Sequence, residues 1–117
     1  MKRIQLTDTL SFSQIVHGYW RLADWGYTTS ERLTLIENLL DQGLTTFDHA
    51  DIYGDYSCEA LFGEALASKP SLRDKMELVS KCGIKLLSSK YPQRQVKHYD
   101  YSQAHICLLY TSDAADD

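Results

Sequence analysis

The chain has 117 residues, of which 44% are hydrophobic and 24% charged, and a formal net charge of −4 at pH 7. These values are typical of one globular domain, and the lack of a lysine and arginine cluster argues against nucleic acid or an anionic membrane surface as partner. We find no secretory signal and no apolar run long enough to cross a bilayer. Three widely spaced cysteines indicate reduced thiols, so we expect a cytoplasmic protein.

The first part of the sequence predicts a hairpin, a strand and a helix. Residues 4–6 and 10–12 predict the hairpin, and residues 14–20 predict a first buried strand. Thr28 and Glu31 have the spacing of a capping box that begins a helix, and Gly43 would end it. The apolar face predicted for this helix consists of Leu33, Ile36, Leu39 and Leu40.

The second part continues the alternation of strands and helices. Residues 44–47 predict a strand that ends at Asp48, and residues 76–80 predict one that ends at Lys81. Between them, a loop leads to a helix that begins near Ser57. The apolar stripe of this helix consists of Cys58, Leu61, Phe62, Ala65 and Leu66. Residues 83–99 predict a long loop, and residues 100–106 predict the first turns of another helix.

This alternation predicts an α/β protein with a parallel sheet covered by helices. An open doubly wound sheet and a closed (β/α)8 TIM barrel both have this order of elements. Dinucleotide-binding doubly wound sheets usually carry the pattern G-x-G-x-x-G after the first strand. Here Gly18 is followed by no second glycine until Gly26. The pattern therefore favours the barrel.

An acid, a phenol and an amine follow the predicted strand ends, where the active site of a barrel lies. A phenol has a pKa of about 10 and is a poor proton donor unless an ammonium stabilises the phenolate; a carboxylate can hold that ammonium. We therefore predict that Tyr53 donates a proton to a carbonyl oxygen while hydride arrives at the carbon, assisted by Lys81, which Asp48 anchors. The alternative is that Asp48 caps a turn, Tyr53 packs on a helix and Lys81 is a solvated strand end.

Four segments carry a resemblance to a known family. They are GYWRL (residues 18–22), TFDHADIYG (46–54), CEALFGEAL (58–66) and VSKCGI (79–84). In this order and spacing they resemble the aldo-keto reductase superfamily, in particular a bacterial branch of NADP-dependent oxidoreductases. The resemblance covers residues 3–106. It implies a barrel that reduces aldehydes or ketones with NADPH and without a metal.

The resemblance also implies roles for individual residues. Tyr53 would be the general acid, with Lys81 and Asp48 as its catalytic partners. The implied cofactor-binding residues, near the nicotinamide ribose, are Gly18, Tyr19, Trp20 and Asp48. The implied substrate pocket, for a small-molecule carbonyl compound, contains Trp20, His49 and Tyr53.

Three alternatives stay open. Trp20 could equally pack beneath a loop instead of lining a pocket. Asp48, His49 and Asp51 could suggest a metal-dependent hydrolase, although no second ligand cluster has zinc-like spacing. A non-catalytic, cofactor-sensing regulatory protein on the same fold is the third alternative. The complete set of acid, phenol and amine favours the enzyme.

The end of the sequence differs from the family pattern. The family's catalytic histidine follows the fourth strand and its cofactor-phosphate site lies near strands seven and eight, beyond the matching residues. Residues 107–117 resemble translated sequencing-adaptor read-through, so we expect them to be non-native. Residues 1–106 would be the N-terminal part of the barrel, with the hairpin and about three β/α units. Because a whole barrel needs about 250 residues, we expect the 117-residue chain alone to be inactive.

Overall fold

The computed structural model describes residues 1–110, in which strands and helices alternate after an N-terminal hairpin. The strands are β1 (Arg3–Gln5), β2 (Ser11–Ser13), β3 (Val16–Gly18), β4 (Thr46–Asp48), β5 (Glu77–Val79), β6 (Ile84–Lys85) and β7 (His98–Tyr99). The helices are α1 (Thr29–Asp41), the short α2 (Tyr53–Tyr56), α3 (Cys58–Ser68) and α4 (Gln103–Tyr110), and a 3₁₀ helix covers Pro70–Lys75.

A parallel sheet in the order β3–β4–β5 is the centre of the fold. Its register pairs Gly18 with Asp48, and Asp48 with Val79, so the carboxyl ends of the three strands meet at one edge. The predicted first strand, residues 14–20, is shorter than expected and is not buried. Val16 is 44% exposed, because β3 is an edge strand of this sheet within residues 1–110.

The predicted hairpin is present, and hydrogen bonds attach it to the sheet. β1 and β2 pair antiparallel, with Arg3 opposite Ser13. The hydroxyl of Thr46 accepts from the backbone N–H of Ser13 at 2.9 Å and donates to the Glu77 carboxylate at 2.9 Å. The same carboxylate oxygen accepts from Arg3 at 2.9 Å and from Thr45 at 2.8 Å. Burial raises the pKa of Glu77, but these hydrogen bonds outweigh it and hold the pKa below its ordinary value.

Helix α1 begins and ends as the sequence predicts. Thr28 accepts from the Glu31 backbone N–H at 3.1 Å, and Glu31 accepts from the Thr28 N–H at 3.0 Å, which completes the capping box. Gly43, just past the helix end, has a φ of +82°, a left-handed conformation that favours glycine. The core between α1, α3 and the sheet includes Leu22, Ile36, Leu44, Phe47, Phe62, Ala65 and Leu66.

The last third of the described chain differs from the prediction in two places. Residues 83–99 contain the hairpin β6–β7, in which Ile84 pairs with Tyr99, instead of an unstructured loop. An ion pair of 2.7 Å between Lys85 and Asp100 holds its base. Helix α4 covers Gln103–Tyr110, so it extends past residue 106, where the predicted helical turns end. Residues 111–117 of the predicted non-native tail lie outside the described residues. Within residues 1–110, no helix has the length and apolar character that crossing a membrane requires.

Candidate active site

The three residues predicted to act together lie together at the carboxyl edge of the sheet. The Lys81 Nζ donates to Asp48 Oδ1 at 2.6 Å and to the backbone carbonyl of His49 at 2.7 Å. It also lies 5.4 Å from the ring centroid of Tyr53. Asp48 ends β4 and Lys81 follows β5, so the parallel pairing of these two strands brings the carboxylate and the ammonium into contact. The arrangement places a fixed positive charge beside a phenol.

The loop that carries Tyr53 has an unusual backbone. The Tyr53 N–H donates to the Ala50 carbonyl at 3.1 Å, which starts the short turn α2. Gly54, with a φ of +63°, is required here because a Cβ would lie 2.6 Å from the Cys58 sulfur. Tyr56 also has a positive φ, of 68°. For a bulky residue this conformation costs on the order of 1–3 kcal/mol and persists only where the surroundings impose it.

A small cavity opens beside the phenol and the amine. It has a volume of about 180 Å³, is open to solvent and is lined by Ala50, Asp51, Ile52, Tyr53, Lys81, Cys82 and Ile84. The backbone N–H of Asp51 donates to the Lys81 carbonyl at 3.1 Å, so the two loops that form the cavity are joined to each other. Burial raises the pKa of the Asp51 carboxyl above its ordinary value.

Two of the predicted cofactor-binding residues lie on the same open surface. A Cβ at Gly18 would meet no atom within 4 Å, so the backbone there borders free space next to Asp48. Trp20 is 63% exposed, and its ring lies 6.4 Å from the ring of Tyr53. Trp20 is therefore not packed beneath a loop. These positions leave room for a flat ligand beside Asp48 and Tyr53.

Tyr19, also predicted to bind the cofactor, has its side chain elsewhere. It is 1% exposed and packs against Phe47 and Phe62, with ring centroids 5.5 and 5.1 Å away. Its hydroxyl has no hydrogen-bond partner among the described residues, and burial raises its pKa. Side chains alternate between the faces of a sheet. Gly18 and Asp48 lie on the open face of the sheet, so the side chain of the following residue, Tyr19, points to the opposite face, towards the helices.

His49, predicted to line the substrate pocket, follows the same alternation. Its ring is buried, stacks on Tyr19 at 4.8 Å and contacts Phe62 at 4.5 Å. Burial lowers the pKa of His49 to about 4, with smaller effects from Asp48 and Lys81. The structure thus separates this imidazole from the open surface. The residue takes part in the site through its carbonyl, which accepts from Lys81; a main-chain acceptor leaves no signal in a sequence.

A structural or catalytic metal ion would need a cluster of ligand side chains. Among residues 1–110, no group of three or more histidine, cysteine, aspartate or glutamate side chains is arranged to hold a metal ion.

Comparisons with known proteins concern the family and the fold of the chain. A sequence profile of the Aldo/keto reductase family matches residues 14–107. The chain is 56% identical over 106 residues to the oxidoreductase YcsN of Bacillus subtilis, covering 91% of this chain and 35% of that protein. It is 47% identical over 107 residues to a 6-dehydroglucose reductase of Agrobacterium fabrum, covering 91% of this chain and 36% of that protein.

A solved structure gives the same result for the fold. The aldo-keto reductase AKR11C1 from Bacillus halodurans, in its holo form, superposes with a TM-score of 0.73 and 25% identity. The match covers 99% of this chain and 36% of that structure. The chain thus spans about a third of the length of these relatives and is an α/β part of a TIM barrel, as predicted. It belongs to the aldo/keto reductase family.

Proposed function

We propose that these residues belong to an enzyme that uses NADPH to reduce an aldehyde or ketone to an alcohol. The observation that carries the proposal is the Lys81 ammonium, fixed by Asp48 at 2.6 Å and lying 5.4 Å from the Tyr53 ring centroid. A carbonyl oxygen gains negative charge as it is reduced, and it needs a proton at that moment. A positioned general acid can transfer this proton in the transition state and so raise the rate.

Tyr53 is the general acid in this proposal. Its hydroxyl gives its proton to the carbonyl oxygen, and the nearby ammonium of Lys81 stabilises the phenolate that is left behind. Asp48 and the carbonyl of His49 keep Lys81 in this position, because both accept hydrogen bonds from its Nζ. The cavity of about 180 Å³ next to Tyr53 would hold the reacting group and limit its contact with water.

NADPH would lie on the open surface formed by Gly18, Trp20 and Asp48. The free space above Gly18 lets a flat ring approach the backbone, and the exposed indole of Trp20 offers a face for stacking. When bound, NADPH would supply the hydride that the carbonyl carbon receives. The Tyr19 side chain, buried on the other face, takes no direct part.

The substrate in this proposal is a small polar carbonyl compound. Relatives of 47% and 44% identity are named 6-dehydroglucose reductases, which supports such a substrate. The odd number and wide spacing of the cysteines support a reducing, cytoplasmic location.

The test uses a full-length barrel, by which we mean residues 3–106 of this chain joined to the remaining residues of the Bacillus subtilis relative. NADPH oxidation is followed with a panel of aldehydes and ketones. Because a positioned acid contributes about 10²–10⁴-fold, we expect Tyr53→Phe to lower kcat by at least about 10²-fold. Tyr27→Phe, the same change at an exposed tyrosine, serves as the control and should keep the parent rate.

Two outcomes would contradict the proposal. Parent rates in the Tyr53→Phe variant would exclude the phenol as the acid. Tight NADPH binding by the full-length barrel without turnover of any carbonyl compound would instead favour the cofactor-sensing alternative.

A further inference from the structure

Three consecutive residues next to Tyr53 have left-handed backbones. They are Gly54 with φ and ψ of 63° and 36°, Asp55 with 53° and 50°, and Tyr56 with a φ of 68°. Glycine adopts this conformation freely and aspartate tolerates it, but it is unfavourable for tyrosine. The conformation of Tyr56 must therefore be imposed by contacts that its side chain or its neighbours make.

The hydroxyl of Tyr56 makes those contacts with the β6–β7 hairpin. It accepts from the backbone N–H of Leu86 at 2.9 Å and from Arg94 Nη1 at 2.7 Å. It donates to the Ile84 carbonyl at 3.4 Å. One phenol oxygen thus bonds to the β6 end of this hairpin, through Ile84 and Leu86, and to Arg94 in the loop that leads to β7. The hairpin begins three residues after Lys81.

Arg94 is itself held in place. Its guanidinium lies 3.8 Å from the Tyr91 ring centroid and 5.5 Å from that of Tyr56, and these two rings meet edge to face at 5.0 Å. Its Nη1 also donates to the Leu86 carbonyl at 3.3 Å. Arginine stacks on aromatic rings while its fork of donors stays available, a combination that lysine does not offer.

We propose that Tyr56 and Arg94 are positioning residues that set the distance between Tyr53 and Lys81, an inference that rests on the proposed function. The loops that carry Tyr53 and Lys81 are joined at residues that precede Tyr53: the Asp51 N–H donates to the Lys81 carbonyl at 3.1 Å, and the Lys81 Nζ donates to the His49 carbonyl at 2.7 Å. Both of these bonds lie on one side of Tyr53 in the sequence. The hydroxyl of Tyr56 supplies an attachment on the other side, so the phenol of Tyr53 cannot swing away from the ammonium.

The test compares two identical substitutions on the two stacked rings. Tyr56→Phe in the full-length barrel removes the hydroxyl bonds to the hairpin but keeps the ring. Tyr91→Phe keeps the ring that stacks on Arg94 and is the matched control, because the hydroxyl that bonds to Leu86 and Ile84 within residues 1–110 is that of Tyr56. Since small displacements of a reacting group cost large factors in rate, we expect Tyr56→Phe to lower kcat about tenfold or more. KM, the Kd of NADPH and Tm should change little, and Tyr91→Phe should match the parent in kcat.

A double-mutant cycle tests whether Tyr56 and Arg94 act as a unit. We expect Arg94→Gln to lower kcat to a similar extent, and the double variant to be no slower than the slower single variant. If the losses in kcat of the two single variants add up in the double variant, Tyr56 and Arg94 do not act as a unit, and this part of the inference is overturned. Parent kcat in Tyr56→Phe would overturn the inference, as would a loss that Tyr91→Phe shares or one that follows a fall in Tm.

Failure of the proposed function would be distinguishable. If the parent barrel reduces no carbonyl compound, that function is wrong, and amide hydrogen exchange then tests the attachment alone. The N–H of Asp51 should exchange about tenfold faster in Tyr56→Phe than in the parent, and equally fast in Tyr91→Phe and the parent. Equal exchange in all three proteins would overturn the inference.

Discussion

The ion pair of Asp48 and Lys81 serves position more than stability. The two side chains are 32% and 51% exposed, and pairs of that exposure contribute about 0–1 kcal/mol to folding. Two acceptors, the Asp48 carboxylate and the His49 carbonyl, nevertheless hold the ammonium in place. A charge fixed in this way needs no rearrangement when a proton leaves a neighbouring group, and this preorganisation is what a catalytic site requires.

The buried imidazole of His49 makes stability depend on pH. Its pKa in the folded state is about 4, below the ordinary value of 6.5. Between these two values the unfolded chain binds a proton that the folded chain does not, so stability falls as pH falls from 6.5 to 4. Each pH unit in this window costs up to about 1.4 kcal/mol.

We therefore predict that the substitution His49→Phe changes the stability of the full-length barrel in the favourable direction when pH falls. The difference in stability between the variant and the parent should be more favourable to the variant at pH 5 than at pH 7.5. A phenyl ring keeps the contacts with Tyr19 and Phe62 and has no buried nitrogen to protonate. Urea midpoints at the two pH values measure this. An equal effect of the substitution at both would show that His49 titrates in its ordinary range.

At the scale of elements, Glu77 connects the N-terminal hairpin to the sheet. One of its oxygens accepts from Arg3 on β1 and from Thr45 and Thr46 at the start of β4, so it joins two segments. We predict that Glu77→Gln costs about 1 kcal/mol of stability, because the amide oxygen can still accept. Glu77→Ala should cost about 2–3 kcal/mol, because the buried Thr46 hydroxyl loses its acceptor.

The control for this prediction is Glu37→Gln, which removes a more exposed ion pair with Lys69 and should cost less than about 1 kcal/mol. Because the folded-state pKa of Glu77 is lowered, its contribution is present above about pH 4.5 and is lost as pH falls through the folded value. Urea unfolding at pH 7 and pH 4 measures both effects. Equal stability of Glu77→Ala and Glu37→Gln at pH 7 would contradict this account.

The elements that the sequence predicted well have local or periodic signals. The capping box of Thr28 and Glu31 is such a signal, and so is the spacing of Cys58, Phe62 and Ala65 on α3. The β6–β7 hairpin was missed because its strands have two residues each and are twelve residues apart, in a polar stretch without alternation.

The same reasoning explains which site residues could be predicted. Asp48 and Lys81 meet because parallel strands in register bring their ends together, which element order alone indicates. The burial of Tyr19 and His49 depends on which face of each strand carries Gly18 and Asp48. That register is set by pairing in three dimensions, and two strands without polar alternation leave it open in the sequence.

Taken together, residues 1–110 form an open sheet with an uncovered edge. Val16 in β3 and Ile15 just before it are 44% and 57% exposed, and β3 has a strand on one side within residues 1–110. Apolar strand edges of this kind promote association with other chains.

We predict that the 117-residue chain alone aggregates and does not oxidise NADPH with any aldehyde, whereas the full-length barrel stays in solution and unfolds cooperatively. Gel filtration, thermal unfolding and NADPH absorbance measure the difference. Turnover by the monomeric 117-residue chain would show that the remaining strands are not needed.

Catalysis in the proposed reaction depends on the ammonium of Lys81, which assists proton transfer from Tyr53. Single-turnover reduction by the full-length barrel tests it most directly, with the NADPH absorbance of Lys81→Met followed against that of the parent. Methionine has a similar length without the charge. We predict a rate at least about 10²-fold lower with the Kd of NADPH unchanged. A rate within twofold of the parent would contradict the account.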